Sequence, residues 1–163
     1  IFQQKWKPLW AQLVSNKKMK VGIRWAGSPK FEHQQLRKFS PDILTNLKEN
    51  NSIQLFSFQR DNDLIDLPPE IVNLGPFITS WEDTAAAINE MDIMISSCTS
   101  VAHMSGALGK KTWVVVPVLP YFVWATPGES SPWYKSVKLF RQENYGDWDS
   151  VHQRLHEALN NEL

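Results

Sequence analysis

Asp92-Ile93-Met94-Ile95-Ser96-Ser97-Cys98-Thr99-Ser100-Val101-Ala102-His103-Met104-Ser105-Gly106-Ala107-Leu108-Gly109-Lys110-Lys111-Thr112-Trp113-Val114-Val115-Val116-Pro117 contains a strand, a helix and a second strand in one stretch. Asp92-Ile93-Met94-Ile95-Ser96 is β-rich, and small or polar side chains then make a turn. A helix opens near Thr99 and closes at Gly109, where Lys110 and Lys111 suit the negative end of its dipole. Thr112 to Pro117 is a continuous apolar run of the kind buried on both faces of a parallel sheet. Strand, crossover helix and parallel strand form one βαβ unit.

Working outward, the same alternation recurs. Lys20-Val21-Gly22-Ile23-Arg24-Trp25-Ala26 is a strand closed by Gly27-Ser28-Pro29. Ser40-Pro41-Asp42 supplies an N-cap, a first-position proline and a first-turn acid for a helix with Ile43, Leu44 and Leu47 on one face. Ser52 to Phe58 is the next strand, residues 61–70 form a loop, and Ile71-Val72-Asn73-Leu74 is a weak third strand. Asp83 or Thr84 caps a helix through Ala85-Ala86-Ala87-Ile88. Near the end, Val137-Lys138-Leu139-Phe140 is a short strand. Val151, Leu155, Ala158 and Leu159 share a face of the last helix, capped by Asp149 or Ser150. The fold expected is doubly wound α/β: a mostly parallel sheet of about six strands with helices on both faces, over residues 20–163, after a helical or linker segment at 1–19.

Composition narrows the functional classes. In 163 residues, 17 Lys and Arg balance 17 Asp and Glu, so the electrostatic footprint of a general nucleic-acid binder is missing. The longest apolar run is far short of the roughly 20 residues of a membrane span. One cysteine, Cys98, provides neither a disulfide nor a cysteine-rich zinc cluster and fits a reducing cytoplasm. His152 and His156 are the only histidine pair at helical spacing, and no acidic triad accompanies them. The opening Ile1-Phe2-Gln3-Gln4-Lys5-Trp6 has no initiator Met and no signal-peptide order, so a segment of a longer protein is expected. Eight tryptophans are spread along the chain, as expected for core and interface packing with a few left to line a ligand site.

In a doubly wound sheet, ligands bind beyond the carboxyl ends of the strands, so the loops after Trp25, Phe58, Ser96 and Val116 should share one rim. The turn at Ser97-Cys98-Thr99-Ser100 aims a helix N-terminus at that rim. Oriented backbone amides, the dipole and the hydroxyls of Thr99 and Ser100 then make a phosphate cradle without lysines. The alternative for Ser97, Thr99 and Ser100 is plain helix capping, and for His103, on the first turn, structural packing. Cys98 as a thiolate nucleophile activated by the helix end is a further option.

Several ordered motifs then resemble one family. Asp92-Ile93-Met94-Ile95, Cys98 to His103, Gly106-Ala107-Leu108-Gly109-Lys110 and Trp113 to Pro117 are similar to the C-terminal half of heptosyltransferase-like GT-B glycosyltransferases. They also resemble bacterial tetratricopeptide-linked relatives of O-linked N-acetylglucosamine transferase. Ser131-Pro132-Trp133-Tyr134, Leu139-Phe140-Arg141-Gln142, Gly146-Asp147-Trp148, Gly22 to Pro29, Arg37 and Ser57-Phe58-Gln59 continue the likeness. The resemblance implies a domain that binds a nucleotide-diphosphate sugar as substrate, with no cofactor and no metal. Thr99, Ser100, His103, Ser28 and Arg37 would meet the diphosphate, and Gly27, Gln59, Cys98 and Pro117 would lie near the nucleoside or sugar. An N-terminal domain or helical repeats of the same protein would be the partner holding the general base and the acceptor contacts. Three features depart from the pattern: Cys98 stands where an Asp is usual, Gln34 stands near where the loop after the first strand usually carries an acid, and Tyr121-Phe122-Val123-Trp124 replaces an Asp and an Arg between aromatics. A catalytically inactive binding or assembly module is the alternative these departures favour.

Overall fold

Apolar strands flanked by amphipathic helices give a three-layer sandwich in the computed structural model, which describes residues 2–14, 18–30, 34–40, 52–60, 67, 69 and 71–163. The strands are β1 (Met19–Arg24), β2 (Ile53–Ser57), β3 (Ile71–Asn73), β4 (Ile93–Ser97), β5 (Thr112–Val116) and β6 (Val137–Arg141). They form one sheet in the order β3-β2-β1-β4-β5-β6, every neighbouring pair parallel. The helices are α1 (Phe2–Leu13), α2 (Gln34–Arg37), α3 (Trp81–Glu90), α4 (Ser100–Ala107) and α5 (Asp149–Asn160). The helix expected at Ser40-Pro41-Asp42 and most of the loop expected at 61–70 lie outside the described residues. The segment expected to be helical or linker does hold a helix, α1.

Alternation along the strands separates two faces. Ile23, Ile95, Trp113 and Val115 point to one side, where α5 covers them with Val151, Leu155 and Leu159. Phe56 and Met94 point to the other, against Trp6 and Trp10 of α1 and Ala87 and Ile88 of α3. Val114, Val116 and Leu139 meet Ala102 of α4 and the buried Trp124. Gly22 leaves room on the central strand for side chains on or just beyond the neighbouring strands: a Cβ there would lie 2.3 Å from Met94 Sδ and 2.7 Å from Phe58 Cε2.

Helix ends differ in detail from the sequence expectations. The cap of α3 is Ser80, whose hydroxyl accepts from the Asp83 amide at 3.1 Å. Asp83 instead reaches back to accept from the Thr79 amide and hydroxyl, at 3.0 and 2.7 Å, and from Trp6 Nε1 at 3.1 Å. This reciprocal pair is favoured because a buried carboxylate needs several donors. At α5, Asp147 accepts from the Ser150 amide at 3.2 Å, so neither Asp149 nor Ser150 caps. After α4, Gly109 has φ 72°, the left-handed conformation that stops a helix. The two lysines beyond it serve other groups: Lys110 Nζ donates to the Met91 carbonyl at 2.7 Å, and Lys111 pairs with Glu162 at 2.6 Å.

Candidate functional site

The strand order reverses direction between β1 and β4, and there the loops leaving the two strands diverge to open a crevice. A cavity of about 320 Å³ occupies this place, lined by Arg24, Gly27, Ser28, Arg37, Cys98, Thr99, Ser100, His103, Tyr121 and Trp124. Thr99 and Ser100 therefore face a crevice beside five other residues expected there. A second cavity, about 340 Å³, shares Arg24 and Ser100 with the first and adds Phe58, Arg60, Ile78, Trp81, Thr84 and Val101. The two together follow the rim around the start of α4.

Thr99 is the N-cap residue of α4 by backbone conformation, yet its side chain makes no capping bond. Its hydroxyl instead lies 3.1 Å from Ser96 Oγ. Plain capping therefore does not account for Thr99, and the first turn of α4 carries no side-chain acceptor from its own cap. Ser100 is exposed on that turn. At the far side of the crevice, Ser28 Oγ accepts from the Lys30 amide at 3.3 Å, which sets the bend after β1.

Two guanidinium groups approach the crevice. Arg37, on the four-residue α2, donates from Nη1 to the Cys98 carbonyl at 2.8 Å. Burial, with Arg24 adding to it, pulls its pKa below the usual arginine value. Arg24 ends β1, is 9% exposed and donates from Nη1 to the Phe58 carbonyl at 2.8 Å. Sequence reading had not picked out Arg24, because the direction a strand-end side chain takes is set by packing and has no local signal.

His103 lines the same cavity with its ring 4.8 Å from Trp124 and its Nδ1 3.1 Å from Tyr134 Oη. Burial lowers its pKa, favouring the neutral ring. Trp124 and Tyr121 come from the loop between β5 and β6, quoted above as a departure from the family pattern and here a wall of the cavity. Arg141 fastens that loop, donating to the carbonyls of Trp124 (2.7 Å), Gly128 (2.8 Å) and Thr126.

Cys98 contributes backbone, not sulfur. Its thiol is 5% exposed, donates to the Val115 carbonyl at 3.6 Å and is pushed up to about 12 by burial, against the smaller opposing effects of Arg37 and Arg141. A thiol so protonated is no nucleophile at neutral pH. Gln59 is fully buried, its Oε1 accepting from the Ala26 amide at 3.3 Å, and it lines neither cavity. Pro117 is likewise buried and lines neither. Among the described residues no cluster of three or more His, Cys, Asp or Glu forms, and no helix is long and apolar enough to cross a membrane. A larger groove of about 670 Å³ between α1 and α3 is floored by Trp10, Ala85 and Ala86 and edged by Glu82 and Glu90. Trp6, Lys7 and Asn89 complete its lining.

This geometry defines the class: a Rossmann-like α/β domain with a crevice at its topological switch point, lined by two arginines and the start of a helix. The same fold occurs in about half of E. coli ADP-heptose LPS heptosyltransferase II, with a TM-score of 0.64 and 16% identity over 98% of this chain and 51% of that one. It occurs also in E. coli heptosyltransferase WaaC with ADP, with a TM-score of 0.58 and 13% identity over 93% of this chain and 48% of that one. The chain thus shares the Rossmann-like α/β fold of one half of these heptosyltransferases. In sequence, the chain is 26% identical over 153 residues to Protein FlbA of Caulobacter vibrioides, covering 86% of this chain and 25% of FlbA. No family model matches. The chain spans about half the length of the heptosyltransferases and a quarter of FlbA.

Proposed function

We propose that the chain is the nucleotide-sugar-binding domain of a glycosyltransferase, the C-terminal half of a GT-B enzyme that moves a sugar from a nucleoside diphosphate to a protein or glycan acceptor. The observation that carries this reading is the meeting of Thr99, Ser100 and His103 with Arg24 and Arg37 around one crevice at the switch point. As the glycosidic bond breaks, negative charge collects on the departing diphosphate. Amides of the first turn of α4, the Thr99 and Ser100 hydroxyls and the Arg37 guanidinium supply preorganised donors and positive charge there, with no metal in the scheme. Gly27 and Ser28 bound the side from which the sugar projects. Arg60 and Trp81, in the adjoining cavity, take the nucleoside side. The general base and the acceptor contacts belong to an N-terminal domain or to tetratricopeptide repeats of the same protein. In this reading the protein works in the cytoplasm, where a free thiol is stable.

Thermal unfolding of the protein with ADP, UDP and GDP tests the reading. A nucleotide at 100 times its dissociation constant stabilises by about 2.7 kcal/mol. A rise in melting temperature with at least one of the three is expected, and no rise with any at millimolar concentration overturns it.

The burial of the Cys98 thiol against the Val115 carbonyl favours a second reading, in which the domain binds donor without transferring it. Here position 98 offers the sugar no carboxylate. Donor hydrolysis by the full-length protein, with and without Cys98→Asp, separates the two: activity gained only in the variant supports the silent module.

A further inference from the structure

His103 is held by more than its own helix. Its Nδ1 lies 3.1 Å from Tyr134 Oη, its ring is tilted 30° over Trp124, and the Tyr134 ring meets it edge-on at 5.8 Å. Tyr134 precedes β6 and is distant in sequence, so a specific feature must let it reach α4. That feature is Gly106, one turn beyond His103. A Cβ at Gly106 would lie 2.7 Å from Tyr134 Cγ and 3.0 Å from Val137 Cγ2, so only a bare backbone admits the ring. The Val137 amide donates to the Tyr134 carbonyl at 3.1 Å and fixes the turn that delivers it.

A neutral imidazole carries one proton on one of two nitrogens, and the partner of one nitrogen decides the state of the other. With the proton on Nδ1, Nε2 would turn a lone pair toward an anion in the crevice. With Nδ1 accepting from a hydroxyl, Nε2 carries the proton and donates.

We propose that Tyr134 is a positioning residue: its hydroxyl donates to His103 Nδ1 and holds the ring as the Nε2–H tautomer, so that a neutral imidazole donates to a phosphoryl oxygen of a nucleoside diphosphate in the crevice. This rests on the donor-site reading above. It explains why a tyrosine, a glycine and a tryptophan from three separate places converge on one histidine. It also assigns the loop between β5 and β6 a role in anion recognition although it brings no charge of its own to His103.

Two variants test the proposal from opposite sides. Tyr134→Phe removes only the hydroxyl and keeps the ring in the Gly106 hollow; Gly106→Ala keeps the hydroxyl and displaces the ring. Binding of ADP, UDP and GDP and of adenosine, uridine and guanosine is measured by calorimetry. Nitrogen-15 NMR of histidine-labelled protein, with His103→Gln to assign the signal, reads the tautomer. The wild type is expected to show Nε2–H. Tyr134→Phe is expected to give mixed tautomers and diphosphate binding about three- to tenfold weaker, with nucleoside binding unchanged. Gly106→Ala should shift both in the same direction. An Nδ1–H ring in the wild type, or Tyr134→Phe with tautomer and affinity both unaltered, overturns the proposal while the donor-site reading stands. If the wild type binds no nucleoside diphosphate, the donor-site reading falls and this role falls with it.

Discussion

Arg37 Nη1 donates a 2.8 Å hydrogen bond to the main-chain carbonyl of Cys98, tying the segment after β1 to the turn that launches α4. The bond engages a carbonyl that would otherwise offer a negative end to the crevice and leaves a positive group beside the first helical turn. Arg37→Ala removes both effects at once. Diphosphate binding by calorimetry is expected to weaken about tenfold, and its salt dependence to flatten. Arg37→Lys should fall between, because an ammonium supplies the charge without the planar fork of donors.

Cys98 tests the electrostatics of the same turn from the inside. Its thiol is raised to about 12 by burial, above an unfolded value of about 8.5. The native state therefore keeps the proton after the unfolded chain has lost it. That contribution to stability is complete below the unfolded value and is lost as pH rises through the folded one. The stability difference between wild type and Cys98→Ala, by urea unfolding, should shrink between pH 9 and 12 and stay constant from pH 6 to 8. At pH 8 a thiol-reactive disulfide reagent should label the native protein far more slowly than the urea-unfolded chain. Labelling at equal rates would show the thiol to be open.

What the sequence made legible, and what it hid, follows from the range of the interactions involved. The parallel sheet was readable because β4 and β5 are continuous apolar runs on either side of a capped helix, a pattern set within 26 residues. The position of Thr99, Ser100 and His103 at the rim followed from that pattern with one rule of topology. Cap positions were less legible: Ser80 and Asp147 were passed over because acids nearby, Asp83 and Asp149, satisfy the same propensity. Arg24, Tyr121 and Trp124 belong to segments expected at the rim, but which of their side chains enter the crevice depends on packing and, for Trp124, on a clamp from Arg141, 17 residues beyond it. Gln59 and Pro117 are expected near the ligand through resemblance alone; both are buried and line neither cavity, because burial at a strand end is decided by packing.

The Arg141 clamp can be tested directly. Its guanidinium donates to three carbonyls, at Trp124, Thr126 and Gly128, and so fixes a loop with little regular structure beyond the single 3-10 turn Phe122–Trp124. Arg141→Gln leaves all three carbonyls without their charged donor. Unfolding by urea should show a loss of about 2–3 kcal/mol. Because Tyr121 and Trp124 form a wall of the crevice, nucleotide binding should weaken as well, and tryptophan fluorescence should report the released loop. A variant with full stability and unchanged fluorescence would mean that the packing of Trp124 against Ala102, Val114, Val116, Leu139, His103 and Tyr134 holds the loop without the clamp.

Gly22 is the last test, and it concerns the sheet that sets the whole rim in place. It lies in the central strand β1, paired with Phe56 on one side and Met94 on the other. A methyl group there would meet Met94 Sδ at 2.3 Å and Phe58 Cε2 at 2.7 Å. Methionine can retreat, since its side chain is flexible. The Phe58 ring is 1% exposed and has no such freedom. Gly22→Ala is therefore expected to destabilise by about 1–3 kcal/mol, within the range of overpacking in a dense core. The double variant Gly22→Ala with Met94→Ala should recover only the part of that loss due to the sulfur, seen as a non-additive double-mutant cycle in urea unfolding. Strict additivity would show that a side chain at position 22 does not meet Met94 across the β1–β4 pair.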